Sequence, residues 1–233
     1  MRILTFVVLL TWFIMSNAQL VQHNMAQVLH VPEVLAAHMI ERIGYIDRLN
    51  TSHAPYYPIL SNAFLKERGY KIGCEIGVFT AGHAAFILAN TAVEKLYCVD
   101  SYIAPMHIVT TITDGFDRRY WQACWDTMYH YAVDKLSAFG KRAYFIRMSA
   151  AQAASMIADH SLDFIFIDGD HSYAGALSDC GNYYDKVRSG GMIAGDDYNI
   201  DDVGRAVRDF FGQKKLVINV YPGQQRFWWV EKP

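Results

Sequence analysis

Residues 162–173 read Leu162-Asp163-Phe164-Ile165-Phe166-Ile167-Asp168-Gly169-Asp170-His171-Ser172-Tyr173. The apolar run Phe164–Ile167 has the length of a buried strand. It ends abruptly on Asp168, Gly169, Asp170 and His171. Two carboxylates and an imidazole therefore stand where a buried strand surfaces, the edge at which an open α/β sheet binds its ligands. The pattern echoes downstream, where Gly191-Met192-Ile193-Ala194-Gly195 runs into Asp196-Asp197-Tyr198. Two neighbouring strand tips that both end in acids form a pocket for a cation.

Outward from this stretch, strands are expected at about 70–76, 94–99, 142–147, 162–167, 190–195, 214–220 and 225–231. Helical patterns separate the first six. Strand–helix alternation implies a parallel sheet with helices on both faces. The last two runs are separated only by Pro222-Gly223-Gln224. That connection suits a hairpin, so one terminal strand runs antiparallel. The spacing predicts helices over Ile59–Arg68, stopped by Gly69, over Asp117–Phe139 and over Tyr173–Arg188, with another starting near Asp201. A further helical pattern, Val34, Leu35, His38, Met39, Arg42, Ile43 and Ile46, follows Pro32. The aromatic-rich stretch 101–141 is longer than the compact fold needs. It reads as a lid or substrate wall, with an amphipathic packing helix as the alternative.

The 233 residues suit one α/β domain. A composition of 52% hydrophobic and 19% charged residues supports a large core and argues against disorder. A net charge of −2 leaves no general basic footprint for nucleic acid. Arg2, the apolar stretch Ile3–Met15 and Ser16-Asn17-Ala18 read as a signal peptide cleaved before Gln19. That stretch is short against the roughly 20 residues of a membrane span, so no stable span is expected once it is cleaved. The expected location is the secretory pathway, the exterior or a periplasm; a membrane-anchored or cytoplasmic chain is the alternative. Cys74, Cys98, Cys124 and Cys180 include no CxxC zinc pattern, and strand cysteines are usually free small hydrophobes. The organisation expected is a leader over 1–18, a helical cap over 19–69 and the main domain over 70–233, with 101–141 inserted in it.

The first strand leads into Gly73-Cys74-Glu75-Ile76-Gly77-Val78-Phe79-Thr80-Ala81-Gly82. Glycines at a strand-to-helix turn let backbone approach a ligand closely. This is not GxGxxG, because Glu75 takes the place of the middle glycine, and a carboxylate there suits a cationic or amine-bearing ligand. The second strand ends on Asp100, and an acid at that tip commonly accepts from ribose hydroxyls. Glu75-x-Gly77 with Gly82, Asp100 and the Asp168 strand together resemble the class I S-adenosylmethionine-dependent methyltransferases. Ile167–Tyr173, Gly190–Tyr198 and Val203–Phe211 resemble the macrocin-type and cephalosporin-hydroxylase-like branch. The resemblance spans about 70–230 and implies a Rossmann-like sheet of seven strands with the last reversed, in agreement with the terminal hairpin.

The resemblance implies that Glu75, Gly77 and Gly82 line the methionine and sugar part of S-adenosylmethionine. It gives Asp100 the ribose and Ser149, after the third strand, the adenine. It further implies a divalent metal held by Asp168, Asp196 and Asp197. From the residues themselves, three carboxylates converging on two strand tips repel one another unless a cation or protons intervene. Hard oxygen donors without clustered Cys or His favour Mg²⁺, with Ca²⁺ or Mn²⁺ as alternatives. The other reading of Asp196 or Asp197 is a cap for the helix near Asp201. His171 is the expected general base, taking a proton from an acceptor hydroxyl. The function expected is metal-assisted O-methylation of a small hydroxylated molecule such as a sugar; a homo-oligomer stays open. The rival readings are a hydroxylase-like or nucleotide-binding oxidoreductase, or a non-catalytic secreted binding domain.

Overall fold

Phe164 and Phe166 point to one face of a sheet, Ile165 and Ile167 to the other, and all four are buried. A strand apolar on both faces belongs at the centre of a parallel sheet, and the computed structural model places it there. The structure describes Glu41 and residues 59–104, 118–221 and 226–233. The expected leader, the cap helix after Pro32, the 222–224 turn and most of the loop after Ser101 lie outside the described residues.

The strands are β1 (Ile72–Ile76), β2 (Lys95–Val99), β3 (Ala143–Ile146), β4 (Leu162–Ile167), β5 (Val187–Gly195), β6 (Asn219–Val220) and β7 (Trp228–Glu231). They form one seven-stranded sheet in the order β3-β2-β1-β4-β5-β7-β6. β7 is antiparallel to both its neighbours, and the other pairs are parallel. The helices are α1 (Ile59–Lys66, wound as a π-helix), α2 (Gly82–Asn90), α3 (Arg118–Ser137), α4 (Ala150–Ala154), α5 (Tyr173–Tyr184) and α6 (Asp201–Gln213). Ala153, Cys180, Tyr183, Val207 and Phe211 from α4, α5 and α6 join the core cluster with Ile165, Ile167 and Ile193. On the opposite face His83 of α2 lies edge-on against Phe166, with ring centroids 4.3 Å apart, and Phe64 of α1 meets Trp229 at 5.0 Å. Helices on both faces is the architecture the alternation predicted, and the reversed strand is the one the short terminal connection predicted.

The chain divides into two compact units. One comprises Met1–Leu49 and Ile103–Tyr131; the other comprises Asn50–Tyr102 and Ala132–Pro233. In the first, Gln122 accepts from the Ala104 amide and donates to Asp126, both at 3.1 Å. The second holds the whole sheet and every site residue named below. Among the described residues no helix is long and apolar enough to cross a membrane.

Two expected boundaries moved, for local reasons. The helix predicted to reach Arg188 stops at Tyr184, because Val187 pairs with Leu162 and starts β5 early. The strand predicted over 214–220 shrinks to two residues. Lys215 takes φ 55, its amide donates to the Gly212 carbonyl, and the Leu216 amide donates to the Phe211 carbonyl. That pair of bonds is a Schellman closure of α6 with lysine at the left-handed position, and it consumes the residues the strand would have used.

The sheet order reverses beside β1. From β1 the chain runs outward to β2 and β3, then returns to β4 on the other side of β1. The carboxyl ends of β1 and β4 therefore flank the point where the winding reverses, where open α/β sheets bind their ligands.

Candidate active site

Gly77 follows β1 with φ 82 and marks the seam between the two halves of the site. Its amide donates to the Val99 carbonyl, and the Asp168 amide donates to the Ile76 carbonyl, both at 2.9 Å. An ideal Cβ on Gly77 would overlap the Asp168 carbonyl oxygen, far inside the 3.0 Å that real Cβ contacts keep. The missing side chain thus lets the turn after β1 lie directly on the turn after β4. Phe79 and Ala81 take φ 50 and φ 58, and the chain enters α2 at Gly82.

Asp100 organises the first half. Its Oδ2 accepts from the Phe79 amide at 3.0 Å and its Oδ1 from the Tyr102 amide at 2.8 Å. The Tyr102 hydroxyl returns to the Phe79 carbonyl at 2.7 Å. Burial raises the Asp100 pKa against these amide bonds, which favour the charged form. Glu75 is buried on β1, with Oε2 3.7 Å from His83 Nδ1. Burial, then the charges of Asp168 and Asp100, push its carboxyl well above the ordinary range, while burial pushes His83 down to about 3. At neutral pH the His83 ring is therefore uncharged. Ser149 is the N-cap of α4, in a reciprocal capping box with Gln152. Its hydroxyl is engaged in that box at the end of β3.

The second half gathers around His171. Its Nε2 lies 3.3 Å from Asp168 Oδ1 and 3.3 Å from Asp197 Oδ2. Asp168, His171 and Asp197 each offer one ligand atom, all within 4.8 Å of one another. The hydrogen bond to Asp168 raises the His171 pKa against partial burial; burial raises Asp168 and Asp197. Asp196 does not join this group. Its carboxylate turns to Arg226, whose Nη2 reaches Asp196 Oδ2 at 2.7 Å and Asp197 Oδ1 at 2.6 Å. The divergence of two consecutive acids follows from Asp197 at φ 58, which turns the chain sharply at the strand tip. Neither acid caps α6, whose N-cap is Ile200 with no side-chain bond.

Arg226 was not among the sequence candidates. The signal for it was indirect. β5 and β7 pair with Gly195 opposite Trp228, and extending that register by two residues sets Asp197 opposite Arg226.

A family model described as a methyltransferase domain matches residues 70–198. The chain belongs to the class I S-adenosylmethionine-dependent methyltransferases. An SAH-bound methyltransferase from Podospora anserina shares the fold at TM-score 0.58 and 13% identity, over 94% of this chain and 96% of that one. An O-methyltransferase from Bacillus cereus, in complex with SAH, matches at TM-score 0.53 and 13% identity, over 90% and 95%. An uncharacterized protein of Acanthamoeba polyphaga mimivirus is 29% identical over 143 residues, which are 60% of this chain and 56% of that protein. The chain thus spans little more than half the length of that relative.

One further carboxyl of this methyltransferase packs beside the turn after β4. Asp179 on α5 is buried, and its Oδ2 would lie 3.1 Å from a Cβ placed on Gly169. Burial, then the charge of Asp170, push it up to about 7. The folded state therefore holds this proton more tightly than the unfolded chain. Stability from that proton is complete below about pH 4 and is lost as pH rises to about 7. Asp179→Asn is expected to match the wild type near pH 4 and to exceed it near pH 8 by at most about 4 kcal/mol. Urea unfolding of both proteins across that range measures the difference; a pH-independent offset would contradict it.

Proposed function

We propose that this methyltransferase transfers the methyl group of S-adenosylmethionine to a hydroxyl of a small hydroxylated acceptor, with a divalent cation beside the reacting oxygen. The observation that carries the reading is the convergence of Asp168, His171 and Asp197 on the tips of β4 and β5, one strand from the Gly77 turn.

The donor set fits a hard divalent cation such as Mg²⁺, with Asp168 and Asp197 as the residues that would hold it. A bound cation would lower the pKa of an acceptor hydroxyl. The cluster holds one imidazole and two carboxylates, unlike the two-imidazole, one-carboxylate set of non-haem iron oxygenases. That counts against the hydroxylase rival.

The chain's own residues divide the remaining work. His171 is the proton acceptor, and the carboxylates of Asp168 and Asp197 beside its Nε2 stabilise the imidazolium that forms. Asp168 keeps the imidazole basic and oriented. Asp100 braces the Phe79 and Tyr102 amides, and its remaining lone pairs accept from the ribose hydroxyls. The cofactor supplies an electrophilic methyl group, so alignment of the acceptor oxygen with it provides most of the rate.

Calorimetry with S-adenosylhomocysteine tests the cofactor half. The wild type should bind, and Asp100→Asn should bind at least about tenfold more weakly, the loss expected for charge-assisted hydrogen bonds. A screen of hydroxylated acceptors with labelled methyl donor tests the rest. Transfer should stop in EDTA and return with Mg²⁺. Transfer undiminished by EDTA would remove the cation from the reading.

A further inference from the structure

A cation is already built into the acceptor half, and it is Arg226. Nη2 bridges Asp196 Oδ2 at 2.7 Å and Asp197 Oδ1 at 2.6 Å, and Nε adds a 3.3 Å contact to Asp196 Oδ1. The Asp196 side chain is 1% exposed and that of Arg226 is 51% exposed. A carboxylate so deeply buried needs a partner, because an unpaired charge there is strongly destabilising. Trp228 Nε1 also donates to the Asp196 carbonyl at 3.1 Å, which fixes the strand tip behind the ion pair. Asp197 is the shared member. Oδ1 serves Arg226 and Oδ2 faces His171 at 3.3 Å, and one Asp197 oxygen lies within 4.8 Å of one from Asp168.

We infer that Arg226 is a positioning residue that tunes the acid cluster for a divalent cation, holding Asp196 out of the donor set and sharing Asp197 with the metal. The inference rests on the metal reading above. Three carboxylates against one guanidinium leave a charge that one divalent cation neutralises. Without Arg226 the cluster carries one more negative charge and one more free carboxylate. Both changes draw a cation in more strongly, by Coulomb's law. The guanidinium therefore keeps the site's affinity moderate, so that acceptor hydroxyls complete the coordination instead of a third carboxylate.

The inference predicts an affinity that rises when a side chain is truncated, which loss of a merely structural anchor does not produce. Titration with Mn²⁺ alone, read by calorimetry, compares the wild type with Arg226→Met and Arg226→Lys. The methionine variant should bind Mn²⁺ about tenfold more tightly or better. The lysine variant keeps the charge and should stay near the wild type. Thermal melting with and without Mn²⁺ should show a larger metal-induced rise for Arg226→Met.

Removing the arginine alone strands Asp196, so a second comparison avoids that penalty. Asp196→Asn/Arg226→Met should bind Mn²⁺ more tightly than Asp196→Asn alone. A wild type that binds Mn²⁺ while Arg226→Met and the double variant gain no affinity overturns the inference and leaves the metal reading standing. If no variant and no wild type binds Mn²⁺, yet all bind S-adenosylhomocysteine, the metal reading itself falls and the inference with it.

Discussion

Asp168→Asn is expected to cut methyl transfer by about a hundredfold to ten-thousandfold, the range spanned by loss of a positioned proton acceptor. The substitution removes a charge from two places at once. His171 loses the partner that raises its pKa, and the proposed cation loses one of two carboxylates. Binding of S-adenosylhomocysteine should be unchanged, because the proposed function puts Asp168 on the acceptor side and Asp100 on the cofactor side. In EDTA, where no metal intervenes, an NMR titration should show the His171 pKa falling back toward its ordinary value. Stability should not suffer. Burial is the first cause of the raised Asp168 pKa, so the folded state holds its proton more tightly than the unfolded chain, and the stability that proton brings is lost as pH rises. Asparagine removes that dependence, so above the folded pKa the variant should melt no lower than the wild type. Activity lost together with cofactor binding would place Asp168 in a structural role.

The sheet was legible in the sequence because its signals are local. Phe164–Ile167 is apolar on both faces, which only a central strand satisfies, and the acids at its tip follow from where that run stops. The last hairpin was legible from the short gap after Tyr221. The sorting of the acids was not. Asp196 and Asp197 are identical in sequence terms, and only the left-handed backbone at Asp197 lets it reach His171 as well as Arg226 while Asp196 meets Arg226 alone. Arg226 depends on a strand register thirty residues long in sequence, which no spacing rule carries. Ser149 shows the opposite fault. Ser149-Ala150-Ala151-Gln152 is a readable capping box, and the structure uses it as one. The strand expected from residue 214 was overextended because a Schellman closure normally advertises itself with glycine, and here lysine takes the left-handed position.

Gly77→Ala should be the most damaging single-methyl change in the sheet, costing about 2–5 kcal/mol and abolishing cofactor binding. Two costs combine. A residue with a Cβ at φ 82 is strained, by about 1–2 kcal/mol. The added carbon would also overlap the Asp168 carbonyl, a backbone atom that no rotamer change can move aside. Relief requires separating the turn after β1 from the turn after β4, which pulls the two halves of the site apart. Gly69→Ala isolates the first cost. Gly69 has φ 63 and nothing within 4 Å of an added Cβ, so it should lose only the conformational part, about 1–2 kcal/mol. Urea unfolding of both variants gives the difference, and calorimetry with S-adenosylhomocysteine gives the binding. Equal losses at the two glycines would mean that the turns give way freely. A larger loss at Gly77, accompanied by lost binding, would mean that one backbone contact, Gly77 on Asp168, holds the methyl donor's half of the site against the acceptor's half.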